Sequence, residues 1–237
     1  MRMNYPAIAG YLEGRGHAIA VEAIEEAELR ARVRLDADLA RGASTEGRAA
    51  QDSYLVYLLE GLGITAPTEI EAAAGFRRSY NAPAGLFNVA DPDALPAILR
   101  VKAAGLVAGV VSNSNGCARA LLAGAGLVDA LDFVIDSAEV GVEKPDPKIF
   151  RLGLEQAGVA AHEAVYVGDL YSVDVLGSRA AGLGAILLDP RGFWGPRDCD
   201  TARDLIEATG LILGTAWGTA WGTAWGTAGG TIRKEQS

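Results

Sequence analysis

Apolar positions recur at helical spacing from about residue 8 to residue 80. In the stretch 19–40 (IAVEAIEEAELRARVRLDADLA) they fall at Val21, Ile24, Leu29 and Val33, among many good helix formers. The pattern repeats over 48–62 at Ala49, Leu55, Leu58 and Leu62, where Gly61 and Gly63 supply the stop. These residues predict an all-helical module, closed by a turn-rich stretch containing Asn81, Pro83, Gly85 and Asn88. Beyond Asp91 the texture changes. Short β-branched runs at 107–112, 133–136, 164–168 and 185–188 alternate with amphipathic segments at 92–104, 116–125, 146–157 and 173–181. Strands separated by helices predict a parallel α/β sheet with helices on both faces, and continuously apolar strands suit a sheet covered on both sides.

The end of the chain has no such periodicity. GTAWGTAWGTAWGTAGG, from Gly214, repeats a four-residue unit rich in Gly and Thr. A period of four lies far below that of a solenoid unit, so this tail is expected to be disordered, an expanded low-complexity end. The expected organisation is a helical module over 1–83, an α/β core over 84–209 and a tail over 210–237.

Composition narrows the function. With 21 Lys and Arg against 30 Asp and Glu the net charge is −9, which argues against nucleic acid as a partner, because phosphate-backbone affinity needs clustered cations. Half of the residues are hydrophobic, enough for a real core. No apolar run reaches the ~18 residues of a membrane helix, and Glu13, Arg15 and His17 break the opening segment before a signal sequence could form. Cys117 and Cys199 belong to no CxxC pair, so neither zinc nor a disulfide framework is indicated. A soluble cytoplasmic protein without a membrane partner is expected.

Candidate chemistry collects at the C-terminal ends of the predicted strands, where open parallel sheets bind ligands. Ser112 and Asn113 follow VAGVV and offer a hydroxyl and backbone N–H groups to an anionic oxygen, although turn and cap roles are commoner for such residues. In VEKPDPKIF, Pro145 keeps Lys144 out of the helical region, while Asp146 and Pro147 read as a helix start, so the ammonium projects from a stiff loop. In GDLYSVD, Asp169 and Asp174 place two carboxylates on a strand-to-helix turn. They can hold Mg²⁺, one directly and one in support, or they can simply cap and favour the following helix. Hydroxyl, lysine and acidic pair together would clamp and neutralise a phosphoryl group.

In this order, VVSNSNG, VEKPDPKIF and VYVGDLYSVDVLGSRAAG resemble the second, third and fourth motifs of the haloacid dehalogenase-like (HAD) hydrolase superfamily, in its helical-cap subgroup, over roughly Asn4 to Leu205. The resemblance implies a Rossmann-like core and a helical cap that closes over a small phosphorylated metabolite. It implies that Ser112 binds the phosphoryl oxygen, Lys144 anchors nucleophile and phosphate, Asp169 ligates Mg²⁺ and Asp174 supports the metal site. The activity implied is Mg²⁺-dependent phosphomonoester hydrolysis through an aspartyl-phosphate. The nucleophilic Asp of the family's first motif, at the end of a central strand before the cap, has no counterpart in MRMNYPAIAG. The start is therefore expected to be truncated, the sheet to lack its first central strand beside that of the fourth motif, and the chain as written to be inactive. Asp36-Ala37-Asp38 has the letters of that motif but lies in a helical, Arg-flanked stretch and reads as a solvated helix end. Arg30, Arg32 and Arg34 could face the substrate from the cap, although an exposed helix face explains them more cheaply, and His17 and His162 read as surface or capping residues. Two alternatives remain, a non-catalytic phosphate- or metal-binding remnant and a 2-haloacid dehalogenase, which needs no metal.

Overall fold

The computed structural model describes residues 1–80 and 85–214. Asn81, Pro83 and the GTAW repeats lie outside the described residues. The first part of the chain is helical, as its periodicity predicts: α1 (Tyr5–Glu13), α2 (Val21–Leu39), α3 (Arg48–Gly61) and α4 (Pro67–Tyr80). Their shared core gathers Ile8, Leu12, Ile24, Leu58, Leu59 and Ala73. Asn4 caps α1 by accepting from the amide of Ala7, with Pro6 in the first turn, where a missing N–H costs nothing.

The second part alternates strand and helix: α5 (Ala94–Ala103), β1 (Gly109–Ser112), α6 (Ala118–Gly124), β2 (Phe133–Asp136), α7 (Ser137–Val140), α8 (Pro147–Ala157), β3 (Val165–Gly168), a π-helical turn (Tyr171–Val175), α9 (Leu176–Ala180), β4 (Gly184–Leu188), β5 (Asp200–Ala202) and α10 (Leu205–Leu213). Asp146 caps α8 by accepting from the amide of Lys148, with Pro147 as the first helical residue. Ile149 and Phe150 on the inner face of α8 are almost wholly buried, each contributing about 1.5–3 kcal/mol of burial free energy. The polar segment Asp200–Ala202 gave no sign of a strand, and α10 carries regular structure through Leu213, past the expected start of the tail at residue 210.

The strands are all parallel, but they do not form one sheet. β1 pairs with β2, Val111 opposite Ile135; β4 lies between β3 and β5, Ile186 facing both Val167 and Asp200. Among the described residues no strand stands between β1 and β3. A cavity of about 1120 Å³ separates them, walled by Val110 and Val111 on one side and Val165 and Val167 on the other. A side chain reaches across it: the Tyr166 hydroxyl donates to the carbonyl of Val111 at 2.8 Å. β1 and β3 are half-buried because each borders the cavity along one edge, whereas Ala185, Ile186 and Leu187 of β4 are fully enclosed. The sheet divides where the gap beside β3 was expected.

The helical part docks on the strand ends through α2 and the loop after it. Leu35, Leu39 and Ala50 pack on Val173. Asp36, expected to be solvated, is buried and accepts from both the amide (2.8 Å) and the hydroxyl (2.6 Å) of Ser172. Ser44 donates to Glu143 at 2.9 Å. Among the described residues no helix is long and apolar enough to cross a membrane, and both cysteines are free.

Candidate active site

The five residues singled out in the sequence converge on one cleft. Ser112, Asn113, Lys144, Asp169 and Asp174 all line the cavity at the C-terminal ends of β1 and β3. Asp136, at the end of β2, holds the loop after Ser112 in place. Its buried carboxylate accepts from the amides of Gly116 (3.1 Å), Ala118 (3.0 Å) and Ala138 (3.0 Å).

Lys144 is the centre of the arrangement. Its ammonium donates to Asp174 Oδ1 at 2.8 Å and to the Tyr166 hydroxyl at 2.9 Å. Burial opposes the charged form, but the attraction of Asp174 and the hydrogen bonds outweigh it, so the Lys144 pKa lies above the ordinary lysine value and the group is a permanent cation. The Tyr166 hydroxyl is pushed up to about 12 by burial, against the pull of Lys144, and stays protonated. The Lys144 backbone is fixed as firmly as its side chain. Its amide donates to Asn113 Oδ1 (2.7 Å) and its carbonyl accepts from Asn113 Nδ2 (2.9 Å), which also donates to Thr45 (2.9 Å). The Asn113 side chain is thus spent on holding the lysine loop. The Ser112 hydroxyl makes one weak bond, to the carbonyl of Asn113 at 3.3 Å.

The two carboxylates have different surroundings. Asp174 is 3 % exposed and saturated: Oδ1 faces Lys144, and Oδ2 accepts from the amides of Asp169 and Leu170, each at 2.9 Å. A side chain at Gly168 would put its Cβ 2.4 Å from that of Asp174, so only glycine allows the strand end to approach this carboxylate. Asp174 therefore shapes the turn that carries Asp169, the reverse of the alternative in which Asp169 caps the helix. Asp169 itself keeps 44 % of its side chain exposed. Burial of the group is overcome by the Arg32 guanidinium and then by Lys144, which hold its carboxyl below the usual range.

Asp169 offers a hard oxygen ligand at the rim, in keeping with a divalent cation, whereas both oxygens of Asp174 are already engaged by the lysine and the turn amides. Among the described residues no group of three or more His, Cys, Asp or Glu side chains could hold a metal by itself. Any such ion must complete its shell with water or ligand oxygens, as Mg²⁺ commonly does.

Of the three arginines on α2, Arg32 faces the cleft and not the exposed surface that its place on a helix favours. Its guanidinium is 16 % exposed and donates to Asp169 Oδ2 and, through Nε (3.1 Å) and Nη2 (2.6 Å), to Glu28 Oε1. Glu28 is wholly buried and also accepts from the hydroxyls of Tyr5 (3.0 Å) and Tyr54. Glu28, Arg32 and Asp36 follow one another at i, i+4 and i+8, one polar line on the inner face of α2, and that spacing was a readable signal. Arg30 and Arg34 do lie on the outer surface, paired with Glu26 and Glu60.

A family model described as "Hydrolase: haloacid dehalogenase-like hydrolase" matches residues 7–182. Among curated proteins, haloacid dehalogenase-like hydrolase domain-containing protein 3 of Danio rerio is 44 % identical over 87 residues, covering 37 % of this chain and 36 % of the relative. Phosphoserine phosphatase of Thermus thermophilus is 39 % identical over 115 residues, 48 % of this chain and 45 % of the relative. The chain thus spans less than half the length of each of these relatives. Among solved structures, the HAD-hydrolase YfnB of Bacillus subtilis, bound to magnesium, shares the fold with a TM-score of 0.61 at 16 % identity, covering 89 % of this chain and 90 % of that one.

Proposed function

Because the chain belongs to the haloacid dehalogenase-like hydrolases, we propose that its cleft supplies the phosphate- and Mg²⁺-binding part of a site for hydrolysing the phosphate ester of a small metabolite, with residues 1–83 acting as the cap and 84–209 as the core. The observation that supports this reading best is the convergence of Ser112, Lys144 and Asp169 on one rim, with Lys144 held as a buried cation. The phosphatases among the relatives point the same way.

In this reading the Ser112 hydroxyl donates to a phosphoryl oxygen and the Lys144 ammonium balances its charge. Tyr166 and Asp174 keep that ammonium in place, and Asn113 fixes its loop. Asp169 supplies the protein carboxylate for Mg²⁺, which when bound would withdraw charge from the phosphoryl oxygens. α2 and α3 cover the cleft and restrict water. Of the carboxylates at the rim, Asp174 is saturated and Asp169 is ion-paired, so neither is a free nucleophile beside Lys144. The chain itself is therefore expected to bind phosphate and Mg²⁺ without turning an ester over.

Calorimetry with inorganic phosphate and MgCl₂ tests the reading. Saturable binding of both is expected, with Mg²⁺ binding lost in Asp169→Asn. A folded protein that ignores both ligands, or an Asp169→Asn variant that binds Mg²⁺ as before, would refute it. One observation favours a second, metal-free reading as a 2-haloacid dehalogenase: Arg32 already supplies a cation beside Asp169. Saturable binding of a 2-haloacid that chelator leaves unchanged, with no binding of Mg²⁺, would select that alternative.

A further inference from the structure

We propose that Arg32 is the resident counter-ion of Asp169 and competes with a divalent metal for that carboxylate, so that this arginine sets the metal affinity of the cleft. The inference rests on the reading of Asp169 as the metal carboxylate. It starts from how Arg32 is held. Two of its three nitrogens, Nε and Nη2, are bound to Glu28 Oε1, and Glu28 is itself clamped by Tyr5 and Tyr54 in a fully buried setting. The planar guanidinium is therefore anchored from behind, and its remaining nitrogen, Nη1, is presented to Asp169 Oδ2.

The charges make the contact exclusive. A divalent cation on Asp169 would sit against a guanidinium already bonded to the same carboxylate, two like charges sharing one partner at hydrogen-bond range. Occupation by metal requires the Nη1 link to break, while the two bonds to Glu28 can persist. The exchange thus needs only a small movement of one end of one side chain. It would also loosen one of the polar links that dock α2 on the end of β3, while the Asp36–Ser172 link remains.

Calorimetric titration of the full chain with MgCl₂ provides the test, comparing the wild type with Arg32→Met and with the double variant Glu28→Gln, Arg32→Met. The double variant leaves no unpaired charge in the buried pocket, so it carries the comparison if the single variant does not fold. The Kd for Mg²⁺ is expected to fall about tenfold in the variants. In the wild type, Mg²⁺ is expected to shift the ¹⁵N signal of Arg32 Nη1 while that of Arg34, paired with Glu60 on the surface, stays put. An unchanged Kd in a folded variant, or an Arg32 signal that ignores saturating Mg²⁺, overturns the proposal while leaving Asp169 as the metal carboxylate. Absence of Mg²⁺ binding in every protein overturns the metal reading of Asp169 and the competition with it.

Discussion

Lys144→Met isolates the buried pair at the centre of the cleft. Lys144 and Asp174 are 12 % and 3 % exposed, and their charged atoms lie 2.8 Å apart. Truncating the lysine leaves the Asp174 carboxylate with only the amides of Asp169 and Leu170, an uncompensated charge in a place water hardly reaches. Removing one partner of such a pair costs about 3–5 kcal/mol, a large part of the ~5–15 kcal/mol that holds a domain. Asp174→Asn can keep the amide bonds through its carbonyl oxygen, but it turns an NH₂ donor toward the ammonium and costs a comparable amount. The double variant Lys144→Met, Asp174→Asn removes both charges and keeps the amide bonds, so it should be less destabilised than the sum of the singles by about 2–3 kcal/mol. Urea unfolding followed by circular dichroism, with a common slope, measures all four proteins. Additivity within about 0.5 kcal/mol would show that the pair is not coupled and would remove the argument for a fixed ammonium. The pH dependence follows from the same geometry. The folded Lys144 pKa is raised, so the stability it contributes is complete below the unfolded lysine value of about 10.4 and declines as pH climbs from there toward the folded value. Stability should therefore fall in alkali in the wild type and do so less steeply in the double variant.

Asp36→Ala strips the amide and hydroxyl of Ser172 of their acceptor inside a buried interface, and a loss of about 2–3 kcal/mol is expected, read as a lower urea midpoint. An unchanged midpoint would mean that Asp36 does not latch α2 to the core. Gly177→Ala would place a Cβ 2.8 Å from the Phe150 ring and 2.9 Å from the Pro145 backbone. Since Phe150 is 1 % exposed, overpacking should cost about 1–3 kcal/mol, and full wild-type stability would show that the Lys144 loop can give way.

Much of the architecture was legible in advance because it is local. The helices α2, α3 and α8 and the strands β1, β2, β3 and β4 lie within a few residues of their expected bounds, since each announces itself by apolar period, capping residue and flanking glycine or proline. The motif residues Ser112, Lys144, Asp169 and Asp174 were legible because Ser112 ends β1, Asp169 follows β3, Asp174 lies in the turn after it, and Lys144 stands in the stiff loop before α8. Asp36 was misjudged as solvated and the inward role of Arg32 was the costlier of two readings, because a charged residue on a helix is exposed by default and their partners, Ser172 and Asp169, lie more than 130 residues away.

The pattern of the chain alone therefore determined most of the helices, the strands β1 to β4 and the side chains at their ends, because those properties depend on neighbours within one or two turns, whereas β5 and α10 carried no such signal. Tertiary structure decided the rest. It divided the strands into two sheets, placed Arg32 on Asp169, engaged Asn113 with the lysine loop and saturated Asp174. Those outcomes depend on how distant segments fill space and neutralise charge together, and no short-range period encodes them.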